Sequence, residues 1–173
     1  MEHQSIAPMA EKTELPVTVE CITDPEDGQL LRLENGYLLE IGEEPLTEEK
    51  QKRLCAAIRE RKITFFAAEQ GGRAVGMCSV SRCWSTFSCG WTAALEDFYV
   101  EPAFRKKGIA RLLAGAAQRW CAEQGIASLT VCCAPCDEGM YRALGFSEPL
   151  GRTLACLFLF PFTLLPVCSC PSD

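Results

Sequence analysis

The sequence predicts a mixed α/β domain, one sheet of about six to seven strands flanked by about four helices. Three observations carry that expectation. Apolar residues alternate with period two in some segments and recur at three- and four-residue spacing in others. Gly71-Gly72 separates two strand-like runs and reads as the tight turn of a hairpin. The stretch from Thr92 to Cys133 runs strand, helix, strand, which implies a parallel pair joined by a right-handed crossover.

Taken in order, Val17 to Ile22 alternates as a first strand. Asp24-Pro25-Glu26-Asp27 reads as a helix start, with Asp24 as the cap, Pro25 in the first turn and acids at the positive end of the helix dipole. Thr47-Glu48-Glu49 opens a second helix that reaches Arg61, with Leu54 and Ile58 on its inner face. Ile63 to Glu69 and Arg73 to Ser81 are the hairpin strands, Arg82 to Gly90 a looser connection, and Thr92 to Val100 another strand. Ile109, Leu112, Leu113, Ala116 and Trp120 then recur at helical spacing, and Gly125 is a natural stop. Ser128 to Cys133 is a strand, Asp137 to Leu144 a short helix before Gly145, and Arg152 to Phe160 a final strand. No repeat or linker interrupts the chain. Residues 15–160 therefore read as one domain between tails at 1–14 and 161–173.

The chain's 173 residues suffice for one domain with a sizeable core. A net charge of −6 works against nucleic acid, whose phosphates call for surplus Lys and Arg, and suits a cationic partner. The first residues, MEHQSIAPMAEKTE, lack the basic-then-apolar plan of a signal peptide. The longest apolar run, Leu154 to Leu165, is broken by Pro161 and is too short to span a bilayer. The expectation is a cytoplasmic protein with no membrane partner. Without an export signal its 12 cysteines are expected as thiols. Cys133-x-x-Cys136 and Cys168-x-Cys170 could offer four thiolates to zinc, but the pairs lie far apart and cysteine also serves as a small core hydrophobe. No metal is expected. The Leu- and Phe-rich tail after Phe160 hints at a contact between two copies, a homodimer.

Arg105-Lys106-Lys107-Gly108-Ile109-Ala110 joins a strand to a helix. A helix start leaves about four N–H groups without internal acceptors, and its dipole favours an anion there. Gly108 permits a tight turn, Ala110 lets a phosphate approach the backbone, and three cations stand alongside. This is a pyrophosphate cradle without the Gly-Lys-Ser/Thr of a P-loop or the GxGxxG of a dinucleotide fold.

With the preceding strand, the pattern Val-x-Pro-x-x-Arg-x-x-Gly-x-Ala over Val100 to Ala110 resembles the acyl-CoA signature of the GNAT N-acetyltransferase superfamily. MYRALGF, Met140 to Phe146, is similar to that family's second landmark, and the resemblance covers residues 15 to 160. It implies acetyl-CoA as co-substrate, with its pyrophosphate on the amides of Lys106, Lys107, Gly108, Ile109 and Ala110 and with Arg105 among the donor-binding residues. It also implies that the strand ending Phe98-Tyr99-Val100 splays from its neighbour and pairs with the pantetheine arm. Where many members carry Asn, seven residues before the Tyr, this chain has Ala134.

Amine acylation needs a deprotonated nucleophile, a polarised thioester carbonyl and a proton for the leaving thiolate. The resemblance gives the acid's role to Tyr141. The only histidine, His3, falls in the N-terminal tail, so the base must be a carboxylate, a tyrosine or a water chain. LEDFYV, with Ser85 to Phe87 ahead of it, resembles the diamine and polyamine acetyltransferase branch. That implies Glu96 as base and Asp97 as a holder of the cationic substrate. Strand alternation would send these two to opposite faces, so that at most one meets the amine. The resemblance implies that the loop between the first two helices borders the acceptor site; it is expected to hold Glu34, Glu40, Glu43 and Glu44, a cluster that would attract a cationic acceptor, with Glu43 and Glu44 as its substrate-binding residues. A small-molecule amine of the diamine, polyamine or lysine-like kind fits best, with aminoglycosides and protein amines left open. The rival readings are an acyl-CoA sensor without catalysis and a zinc-organised interaction module.

Overall fold

The computed structural model describes residues 15–25 and 28–151. In chain order the elements are β1 (Val17–Ile22), α1 (Gln29–Glu40), α2 (Glu48–Arg59), β2 (Ile63–Gln70), β3 (Arg73–Ser85), β4 (Gly90–Val100), α3 (Ile109–Glu123), β5 (Leu129–Val131) and α4 (Glu138–Ala143). The strands form one sheet in sequence order, antiparallel except for the parallel pair β4–β5. The expected mixed α/β sheet is present, with five strands among the described residues. The strand expected over Arg152 to Phe160 and both tails lie outside them.

Helix α3 links the parallel strands and covers one face of the sheet. Its Ile109, Leu113, Ala117 and Cys121 pack with Phe66, Val75, Val80, Leu95 and Val100. That stripe advances by four residues and leaves Leu112, expected inside, 44% exposed at its edge. Truncating a buried leucine such as Leu113 costs about 2–5 kcal/mol through lost burial and a residual cavity. The other face is covered by α1 and α2, whose Leu30, Leu33 and Ile58 meet Phe65, Ala67, Met77 and Tyr99. Helix α1 lies close on β4: a Cβ at Gly36 would stand 3.1 Å from the Tyr99 hydroxyl.

Several boundaries differ from the sequence reading. Helix α1 starts at Gln29 behind Gly28, whose left-handed φ of 76° sets the entry, so Asp24 is not its cap. Helix α2 starts as expected, with Thr47 accepting the Lys50 N–H, but ends at Arg59. Arg61 there turns left-handed at φ 56°, which carries the chain back toward the sheet. Strand β3 runs on to Ser85, because Arg82 to Ser85 pair with Gly90 to Ala93 in a long hairpin sealed by the edge-to-face rings of Trp84 and Trp91. Gly71 and Gly72, at φ 61° and 77°, make the expected tight turn.

Candidate active site

Strands β4 and β5 pair only from Ala93–Leu129 to Leu95–Val131. Past that point the strands part, as expected for the segment ending Phe98-Tyr99-Val100. A cavity of about 750 Å³ occupies the gap. Glu96, Phe98, Tyr99 and Val100 of β4 form one wall, and Cys132, Cys133 and Ala134 the other. Lys106 and Gly108 of the loop before α3, with Ile109 and Ala110 of its first turn, close one end, while Tyr37 of α1 and Tyr141 of α4 also border the space.

The loop has the geometry of an anion cradle. Lys106 and Gly108 are both left-handed, at φ 60° and 81°, which gathers successive amides into a concave turn. Gly108 caps α3 without any side-chain bond, so the first-turn N–H groups carry no cap from that residue. A Cβ placed on Gly108 would meet nothing within 4 Å, so open space fronts the cradle. Arg105, expected among the donor-binding residues, lines the cavity, and its side chain is also tied into the fold. Its Nε donates to the Val100 carbonyl at 2.8 Å, its guanidinium pairs with Glu40, and it lies 5.8 Å over the Tyr99 ring. It braces the end of β4 against α1.

At the far end of the cavity the β3–β4 register slips. Cys78 faces Phe98 but Val80 faces Leu95, so Glu96 and Asp97 together oppose Ser79. The Ser79 hydroxyl lies 3.0 Å from Asp97 Oδ2 and accepts the Asp97 N–H at 3.1 Å, while the Ser81 hydroxyl donates to Glu96 Oε1 at 2.6 Å. Ser79 and Ser81 share a face of β3 with Met77, which belongs to the core under α1. Both acids therefore lie on the α1 face, which corrects the expectation that they point opposite ways. The bulge inserts the extra residue that alternation cannot anticipate.

Helix α1 brings up Glu34, which the sequence reading put in the acidic loop, and Tyr37, which it did not name. Glu34 is buried on the helix, not in the following loop, and its carboxyl is pushed up to about 8, first by burial and then by Asp97. Tyr37, one turn on, is raised to about 12 by burial and by the charges of Asp97, Glu34 and Glu96. Burial also raises Asp97, against the Ser79 hydrogen bond that favours its charge. The signal was an acid set in the apolar stripe of Leu30, Leu33 and Tyr37. Glu40 also belongs to α1, and Glu43 and Glu44, half-buried and exposed, lie off the wall of the cavity.

Tyr141 packs 6.0 Å from the Phe98 ring and 5.9 Å from Phe146. Burial, reinforced by the neighbouring Tyr37, raises its phenol to about 12, so it stays protonated and able to donate a hydrogen bond. No group of three or more His, Cys, Asp or Glu among the described residues is placed to hold a metal, and Cys168 and Cys170 lie outside them. Among the same residues no helix is long and apolar enough to cross a membrane.

The family model for the acetyltransferase (GNAT) family matches residues 29–146. No curated protein matches the chain. Among solved structures, one described as a probable acetyltransferase superposes with a TM-score of 0.74 at 20% identity, covering 83% of this chain and 98% of its own. The aminoglycoside acetyltransferase AAC(6')-Iy, bound to a bisubstrate analogue that joins CoA to monomethyl-acetylneamine, gives 0.69 at 20% identity over 83% and 98%. An aminoglycoside acetyltransferase from an uncultured soil metagenomic sample, in complex with trehalose, gives 0.69 at 15% identity over 85% and 97%. These likenesses establish the fold, and the family match reaches from α1 through the cradle to the MYRALGF segment. The chain belongs to the GNAT acetyltransferase family and is an acyl-CoA-dependent N-acetyltransferase.

Proposed function

We propose that the enzyme transfers the acetyl group of acetyl-CoA directly to a small, multiply cationic primary amine in the diamine, polyamine or lysine-like range. The observation that carries this reading is the bulge that groups Asp97 with Glu96, a residue of the cavity wall, on the face of β4 that α1 covers. Carboxylates crowded together repel one another, and an ammonium set among them relieves that repulsion.

The residues fit the donor. The amides of Lys106 to Ala110 would hold its diphosphate, and the unpaired edge of β4 from Phe98 to Val100 would hydrogen-bond its pantetheine arm as a further strand does. Bound there, acetyl-CoA supplies an activated thioester carbonyl. Glu96, oriented by Ser81, takes a proton from the acceptor ammonium and frees the nitrogen lone pair for attack. Tyr141 offers its O–H to the departing sulfur. A phenol at about 12 is a weaker acid than an ordinary thiol near ~8.5, so it steadies the thiolate by hydrogen bonding and keeps its own proton, while the second proton, shed by the acylated nitrogen as the adduct collapses, passes to the thiolate or to solvent. Ala134 lends no polar side chain to the pantetheine, which leaves that arm to the backbone edge.

The LEDFYV resemblance supports diamines and polyamines. The structural likeness to aminoglycoside acetyltransferases supports a second class with the same chemistry, amines bearing several positive charges. The test is a panel of diamines, polyamines, lysine analogues, aminoglycosides and neutral-tailed monoamines with acetyl-CoA, read by mass detection of the acetylated product. Multiply charged amines should show the highest kcat/KM. Preference for a neutral-tailed monoamine would sink the charge-based reading.

A further inference from the structure

Cysteine is plentiful in this chain, and the reaction as derived gives it no part. Two free, exposed cysteines, Cys132 and Cys133, line the cavity, whereas Cys136, the other half of the Cys-x-x-Cys pair, does not. Their place along the cavity follows from the sheet. The β4–β5 ladder ends at Leu95–Val131, and Cys132 and Cys133 are the next two residues, on the wall across the gap from Glu96 and Phe98. A donor with its diphosphate on Lys106 to Ala110 and its arm along Val100 to Phe98 runs from the cradle toward that junction, which brings its sulfur to where the strands meet.

Cys133 is on the side of the sulfur. Leu129 and Val131 pack with the cluster under α3, to which Phe98 and Tyr141 also belong, and alternation carries Cys133 to the same side. Its influence on the Tyr141 phenol agrees with that placement. The thiol is not an activated one. Burial, then Glu138 and Asp137, push it up, so that at neutral pH nearly all of it is protonated. Selectivity for this cysteine must therefore come from a partner held in place, since a bound reactant meets it at an effective concentration far above that in solution.

We infer that Cys133 is a modification site for disulfides that carry the CoA moiety, which the donor cavity holds with the bound sulfur against its thiol. The Cys133 thiol gives its proton to water, and its thiolate attacks that sulfur. A protein–CoA S–S bond forms, the S–S bond of the incoming disulfide breaks, and the outer thiol leaves as a thiolate that takes up a proton. Cys133 is oxidised and the outer thiol is reduced, so no further oxidant is needed. The modified enzyme carries a CoA in its own donor cavity and excludes acetyl-CoA until a small thiol reduces the bond. The fraction modified then follows the ratio of oxidised to reduced CoA. The inference rests on the donor position proposed above and is independent of the acceptor.

The test incubates the full chain, reduced and freed of reductant, with CoA disulfide, and follows it by intact mass and peptide mapping. One adduct should form, with the mass of CoA less two hydrogens, mapping to Cys133 and removed by dithiothreitol. Its rate should saturate with CoA disulfide and be suppressed by desulfo-CoA, which has no sulfur to exchange. Glutathione disulfide, with the same reacting bond but no nucleotide, should modify Cys133 more slowly by about 10²-fold or more. The modified protein should gain no thermal stability from acetyl-CoA, and Cys133→Ala should form no such adduct while desulfo-CoA still stabilises it. A principal adduct on any other cysteine, or equal rates with the two disulfides, overturns the inference and leaves the donor position standing where desulfo-CoA stabilises the protein. If desulfo-CoA neither stabilises the protein nor slows the modification, the donor position falls with it.

Discussion

Glu34 sets how the fold should respond to pH. Its carboxyl rises from the ordinary value of 4.5 to about 8 on folding, because burial and Asp97 both penalise the charged form. Between those values the folded chain holds a proton that the unfolded chain has released, so stability must fall as pH rises. Each pH unit crossed in that window costs about 1.4 kcal/mol. From pH 5 to pH 7.5 the loss is on the order of 3 kcal/mol, which for a chain of this size moves Tm by roughly 6–12 °C. Glu34→Leu cannot titrate and fills similar space with apolar carbon. Its stability curve should match wild type near pH 5 and lie progressively above it by pH 7.5. Thermal and urea unfolding of both proteins at half-unit pH intervals measures the difference directly, since carboxylates remote from Glu34 contribute equally to both curves and only its neighbour Asp97 changes with it. Parallel curves would mean that Glu34 titrates as an ordinary surface acid, and the reasoning built on its burial would fail.

Four further outcomes are expected. Gly108→Glu puts a negative side chain in front of the cradle on a left-handed backbone, and should abolish stabilisation by CoA, whereas Gly108→Asn, which tolerates that conformation, should retain it; both are read by thermal shift with and without CoA. Tyr141→Phe should lower kcat by about 10²-fold with KM for acetyl-CoA intact. Because its phenol lies at about 12, wild type should show no alkaline limb from it in the usual assay range, and a limb near pH 9 that vanishes in the variant would contradict this. Glu96→Gln should cost about 10²-fold or more near neutral pH and recover at high pH, where the amine sheds its proton unaided; a uniform loss at all pH values would remove its role as base. Glu43→Lys with Glu44→Lys should leave the amine KM within about two-fold at 0.15 M salt, since both lie off the cavity wall and are screened; a large rise would return them to the acceptor site.

The cradle and the overall layout were legible in the sequence because each depends on local chemistry. A glycine between a strand and a periodic helix, a Gly-Gly turn and a Thr cap announce their backbone conformations wherever they occur. The donor half of the site is made of such signals. The proposed acceptor half is not, because it depends on register. Nothing local in Leu95-Glu96-Asp97-Phe98 marks the bulge, which exists only where β4 meets Ser79 of β3. Glu34 was read as one more acid in an acidic loop, since its burial follows from α1 running a turn and more past it and docking on Tyr99. The pairing of Arg105 with Glu40 was equally hidden, since the two stand 65 positions apart and meet only in the fold.

The slipped register has a consequence for how such a site can change. Ala93 and Leu95 before it, and Phe98 and Val100 after it, all pack toward α3. The strand keeps its apolar phase on both sides of the irregularity, so the residues within it are outside the pattern that the core enforces. Deleting either Glu96 or Asp97 would restore plain alternation and leave every flanking side chain on its present face. A single-codon deletion at this point can remove a charged group from the proposed acceptor end while the core stays as it is. Substrate range in such an enzyme can therefore drift by length variation in the middle of a central strand, a place where indels are ordinarily lethal.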